Sequence, residues 1–294
     1  HELADFVELS CWQTGFTSAV ALERSLGRVA DYEHSGGVEE EEEIPRYAQR
    51  AYSEIQRRIE ACGEGYPFCL GENGVTLYPP PCKSNGKQAI YKYLLLATRL
   101  NMKSDRIHAG IDGTLLFEEL SAEASRDYFG DRSESMVFGT SDGSSRFEEK
   151  VDCLCANIKE GNGYEPKGDK QGHERDGKLD VVAWKHFSDG FPGKVIAFGQ
   201  CKTGTHYSDD APNLRPDSFC AKWMHSRPAL VPLRMFFIAE ALHQGDFYNL
   251  ASDAGLLFDR CRIVDYSNQV RQCVMTKVED WTVAAANATG LPSR

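Results

Sequence analysis

The clearest pattern in the chain is an apolar stripe. Ala48, Tyr52, Ile55 and Ile59 are spaced by four, three and four residues, which puts them on one face of an α-helix. Pro45 suits the first turn of that helix, and the glutamates at 39–43 favour its electropositive end. Upstream, Phe6, Val7, Leu9, Trp12, Phe16, Val20, Leu22 and Leu26 predict one or two helices over residues 3–30. Residues 63–86 are rich in Gly and Pro and read as loop, with one short strand at 75–77. Helices are predicted over 87–101 and over 114–129, the second capped near Asp112 or Thr114. Gly130 to Ser145 is polar and reads as a junction between two regions.

Beyond the junction the period changes. Phe147, Val151, Leu154, Cys155 and Ile158 repeat helically, whereas 179–184 and 194–202 are β-branched and apolar. The turn formers between those two runs predict an antiparallel hairpin. Residues 233–240 read as a third strand, 247–257 as a helix, 262–266 as a fourth strand and 279–288 as a final helix. The division expected is a mainly helical region over 1–130, for partner or oligomer contacts, followed by an α/β domain over 131–294.

Composition narrows the class. The chain has 294 residues, 41% of them hydrophobic, enough for one large or two smaller domains. No run of 18 apolar residues is present, and the opening His1-Glu2-Leu3-Ala4-Asp5 does not resemble a secretory leader. Ten cysteines are scattered without a Cys-x-x-Cys pair, so buried reduced thiols in a cytoplasmic protein are expected. Cys69 and Cys82 with a distant His would be the alternative, a zinc site.

Net charge is −11, which argues against a free-standing, tight DNA binder. The charge is uneven: residues 150–234 hold 13 Lys/Arg and 11 Asp/Glu, whereas the rest holds 20 and 33.

Candidate chemistry sits in the least acidic stretch. Asp180 is the only charge in Leu179-Asp180-Val181-Val182-Ala183-Trp184. In the next strand Gln200 and Lys202 share one face and Cys201 takes the other. A carboxylate and an amide oxygen suit a hard divalent cation such as Mg²⁺ or Mn²⁺. Lys202 would position or help deprotonate an attacking water and stabilise developing charge. Glu148 or Glu149 would add a carboxylate from the preceding helix. The ordinary alternative is a set of solvated surface charges.

Three pieces in order carry a family resemblance: Phe147-Glu148, then Asp176-Gly177-Lys178-Leu179-Asp180, then Gln200-Cys201-Lys202. They resemble the PD-(D/E)xK nuclease superfamily in its Gln-x-Lys variant, found in Mrr-like restriction endonucleases. The pieces span about sixty residues. The resemblance implies a restriction-endonuclease-like α/β core, with a central mixed sheet flanked by helices. It implies metal-dependent hydrolysis of DNA phosphodiesters by an endonuclease serving bacterial restriction and antiviral defence. Glu148, Asp180, Gln200 and Lys202 would be catalytic, with Glu148, Asp180 and Gln200 on the metal. Position after the Phe favours Glu148 over Glu149. Gln200 stands where the commoner pattern has an acid, which removes one negative charge.

Lys167, Lys170, Arg175 and Lys178 are candidates for phosphate contacts, with solvated loop charge as the alternative. Residues 203–232, with Tyr207, Trp223 and several basic side chains, read as a substrate-facing insertion or a packed loop. The expected partners are DNA and either an ATPase or sensor protein or further copies of the chain. The rival reading keeps the fold without cleavage, as a nucleic-acid-binding or scaffolding subunit. No phosphate loop, Gly-x-Gly-x-x-Gly or Gly-x-Ser-x-Gly is present.

Overall fold

A computed structural model describes residues 1–32, 38–80, 85–139, 146–167, 178–204 and 207–292. The elements run α1 Glu2–Thr14, β1 Thr17–Ser18, α2 Ala19–Tyr32, α3 Val38–Cys62, β2 Cys69–Leu70, β3 Thr76–Tyr78 and α4 Gly86–Ala97. They continue with β4 Ile107–His108, β5 Ile111–Asp112, α5 Gly113–Phe129, β6 Ser133–Val137, α6 Phe147–Ile158, β7 Val181–Lys185 and β8 Ile196–Lys202. The last are α7 Pro216–Trp223, β9 Leu233–Ile238, α8 Gln244–Ala254, β10 Leu256–Phe258, α9 Arg260–Asp265 and α10 Gln272–Ala288. The class is α/β: a five-stranded mixed sheet is flanked by helices and preceded by a helical N-terminal region.

The sheet has the order β10-β9-β8-β7-β6. β6, β7 and β8 form an antiparallel meander, while β8, β9 and β10 are parallel. Strand alternation separates the two faces. Ala183, Ala197, Met235 and Phe237 join the large apolar cluster that runs through α1, α3, α4, α5, α9 and α10. Val182, Trp184, Ile196 and Phe198 pack against α6 and α7. The large cluster is continuous across the turn after Phe129, where two regions were expected to meet.

Several expectations are corrected. The segment 262–266, read as a strand, is helical: Asp259 caps α9 by accepting from the Arg262 N–H at 3.0 Å. That cap outweighs the β-branched Ile263 and Val264. The neighbouring strand is instead β10, built from Leu256 to Phe258, which ends the preceding helix at Ala254. The polar stretch after Gly130 contains β6, an edge strand whose outer side needs no apolar cover. Helix α3 starts at Val38, so Pro45 lies inside it. Helix α10 starts at Gln272, a turn or more before the expected 279.

The helical region is fastened by buried charge. Arg58 and Arg260 are fully buried. Asp5 accepts from Arg58 at 2.5 Å and from Arg260 at 2.9 and 3.0 Å. Glu8 Oε1 accepts from Arg58, Tyr66 and Tyr91. Burial alone would raise the Asp5 pKa, but Arg260 and Arg58 hold it well below the ordinary carboxylate range. This network ties α1, α3, α4 and α9 together.

Candidate functional site

The parallel strands β8 and β9 end at Lys202 and Ile238, and the antiparallel β7 begins at that same end. Val181 pairs with Gly199, so Asp180 lies beside Gln200 one step further along. Asp180 is held from three directions. Its N–H donates to the Gly199 carbonyl at 2.9 Å, and its own carbonyl accepts from Phe138 N–H at 2.7 Å and Gly139 N–H at 3.2 Å. Its Oδ2 accepts from the Cys201 N–H at 2.7 Å. The carboxylate is therefore anchored to the backbone of β8 between Gln200 and Lys202.

Gln200 is 1% exposed, and among the described residues its Oε1 has no hydrogen-bond partner. A buried carbonyl oxygen in that condition carries an unrepaid desolvation cost of about 1–3 kcal/mol. Two residues on, Lys202 Nζ lies 3.1 Å from Asp210 Oδ2, and Lys178 Nζ lies 3.6 Å from Asp210 Oδ1. Partial burial would raise the Asp210 pKa, but the Lys202 hydrogen bond and charge lower it. Lys178 adopts a left-handed backbone, φ 60°, as the chain turns into β7. The Cys201 thiol is pushed well above its ordinary pKa, first by burial and then by the negative fields of Asp180 and Glu118. It stays protonated, so it is not a nucleophile.

That last field identifies a residue sequence reasoning missed. Glu118, half-buried on α5, reaches the strand end from the helix preceding β6. Its carboxylate occupies the space a Cβ on residue 139 would fill, so a larger residue there would make the Glu118 side chain shift. Gly139 is the residue whose N–H meets Asp180. A cleft of about 380 Å³ between α5, β6 and α6 has Glu118, Glu119, Gly139, Glu149 and Lys150 in its wall, and Asp180, Gln200 and Lys202 do not line it. The available signal was Phe117-Glu118-Glu119, which repeats the Phe147-Glu148-Glu149 run that was singled out.

The other expected residues fall as follows. Glu148 is exposed on the first turn of α6, and its charge acts on Arg146 and Tyr164. Glu149 closes a capping box with Arg146, to which it also pairs at 3.1 Å. Lys167 is exposed and donates to the His225 carbonyl at 3.1 Å. Lys170, Arg175 and Asp176 lie outside the described residues.

Asp180, Gln200 and Lys202 are thus brought to one strand end, and Glu118 is a helix carboxylate whose field reaches Cys201 there. Among the described residues, no three His, Cys, Asp or Glu side chains are grouped to hold a metal. Nor is any helix there long and apolar enough to cross a membrane. Comparison of the chain with family models, with curated proteins and with solved structures finds no match.

Proposed function

We propose that the strand end bearing Asp180, Gln200 and Lys202 is the centre of a metal-dependent DNA endonuclease with a restriction-endonuclease-like core. The observation that carries this reading is the unpaired Oε1 of Gln200, buried beside a backbone-anchored carboxylate. A buried oxygen left without a donor suits a hard cation. Asp180, Gln200 Oε1 and Glu118 are the groups that would hold Mg²⁺ or Mn²⁺. A bound divalent ion acidifies an attacking water and neutralises phosphoryl oxygens.

The chain's own groups have distinct tasks. Asp180 is fixed by the Cys201 N–H, so its carboxylate keeps one orientation without reorganising. Lys202 offers a cation on the same strand face as Gln200, to orient water or stabilise charge developing on phosphate. Asp210 holds that ammonium in place beforehand. Glu118 supplies a further carboxylate from α5. The order of α5, the antiparallel meander and the parallel β9 supports the nuclease-like reading of the fold. A role in bacterial restriction and antiviral defence, in the cytoplasm and with an ATPase or sensor partner, is part of the same proposal.

The second reading, a subunit that binds nucleic acid without cutting, is favoured by one feature. The position expected to be acidic holds neutral Gln200. Nicking of supercoiled plasmid with Mg²⁺ or Mn²⁺ separates the two. Cleavage by the wild type, lost in Lys202→Ala and Asp180→Ala with folding intact, supports the enzyme. Absence of metal-dependent cleavage alongside retained DNA binding supports the subunit.

A further inference from the structure

The opposite pole of the sheet has a different character. β8 and β9 start there, at Ile196 and Leu233, and β7 ends there, at Lys185. Phe187, Phe191, Val195, Leu230, Val231 and Leu233 are all solvent-exposed at this pole, with Phe191 at 69% and Val231 at 67%. Side chains of this size at such exposures present apolar area on the order of 600 Å², the upper end for a monomer's largest patch.

The patch is built rather than accidental. Glu160 is buried, and its two oxygens accept from different segments: Gly193 N–H at 3.0 Å and Ala229 N–H at 2.7 Å. One carboxylate therefore pins the β7–β8 turn to the segment leading into β9. Lys194, 1% exposed, lies 4.0 Å from the same carboxylate and donates to the Ile158 carbonyl at 2.8 Å. Burying a Lys–Glu pair carries a desolvation cost. Here it fixes two segments whose flanking residues, Phe191, Val195, Leu230 and Val231, point apolar groups into water.

We infer that this pole is a self-association surface, occupied by a second copy of the chain. Two arguments select that occupant. The exposed area approaches the roughly 800 Å² per partner of a standard interface, and the patch carries both signs of charge, exposed Asp189 between Phe187 and Phe191 and exposed Lys185 at the end of β7, which a two-fold interface can pair across its axis. The patch lies opposite Lys202, so such a dimer carries its two Asp180–Lys202 ends on outer faces. The inference does not depend on what those ends do.

Sedimentation of the full chain from about 1 to about 100 µM tests it. The wild type is expected to dimerise, and Val231→Asp or Phe191→Asp to raise the dissociation constant about 100-fold or more. Tyr248→Asp, at a side chain 80% exposed on α8, is expected to leave the dimer intact. Unfolding midpoints near that of the wild type show that the variants fold. Concentration-dependent hydrogen-exchange protection of residues 187–195 and 230–233 in the unmutated protein gives a readout free of folding effects. A wild type monomeric at every concentration overturns the inference. So does a dimer that survives both patch substitutions, or one that Tyr248→Asp abolishes.

Discussion

Two of the places where this protein buries polar groups are treated differently. In the helical region Asp5, Arg58 and Arg260 are closed on one another, and Glu8 Oε1 collects three donors. Glu8 Oε2 lacks a hydrogen bond but still lies 3.7 Å from Arg260. At the strand end, Gln200 Oε1 is just as deep and has no partner among the described residues. A satisfied buried network holds helices in one arrangement. An unsatisfied one lowers stability. Buried oxygens of Tyr52, Ser121 and Thr282 also lack a partner among the described residues, so it is the backbone-anchored Asp180 carboxylate beside Gln200 that marks the strand end as the candidate site.

Breaking the fastening should give the largest effect. Asp5→Asn leaves Arg58 and Arg260 short of a buried negative charge and is expected to cost about 3–5 kcal/mol in urea unfolding. The acid limb of the stability curve follows the same group. The folded-state pKa of Asp5 is depressed, so its contribution is complete above the unfolded value of about 4 and is lost as pH falls below it. A stability profile from pH 7 to pH 2 should therefore slope less steeply in Asp5→Asn than in the wild type.

At the strand end the order reverses, with function moving more than stability. Lys202→Ala should lower DNA cleavage by about 10²–10³-fold while changing unfolding free energy by no more than about 0.5 kcal/mol. Equal losses in both would put Lys202 among the fastenings. The smallest effect is the sharpest. Gln200→Met removes the unpaired oxygen at similar volume and should raise stability by about 1 kcal/mol while abolishing cleavage. A destabilised Gln200→Met would mean that the oxygen already has a partner in solution.

Much of the sheet was legible because alternation is a local signal. The β7–β8 hairpin, and with it the pairing of Asp180 with Gln200, follows from two apolar runs and a turn. The strand β6 was hidden because Ser133, Glu134 and Ser135 lie on an edge, where apolar residues are not required. The helix α9 was misread because Ile263 and Val264 have the composition of a strand; the Asp259 cap was the competing signal. Glu118 escaped for a topological reason. Phe117-Glu118-Glu119 and Phe147-Glu148-Glu149 look alike along the chain. Only the packing of α5 against β6 and β7 brings the first run to Gly139 and the Asp180 end. The Asp5–Arg260 pair joins positions 255 residues apart, which no local pattern reports.

The most direct test of the central claim is anomalous diffraction from a crystal of the full chain soaked in Mn²⁺. The account predicts a peak at the end of β8, bonded to the Asp180 carboxylate and to Gln200 Oε1. An ordered protein with no manganese there, and Gln200 Oε1 hydrogen-bonded to a water or a side chain instead, would contradict it.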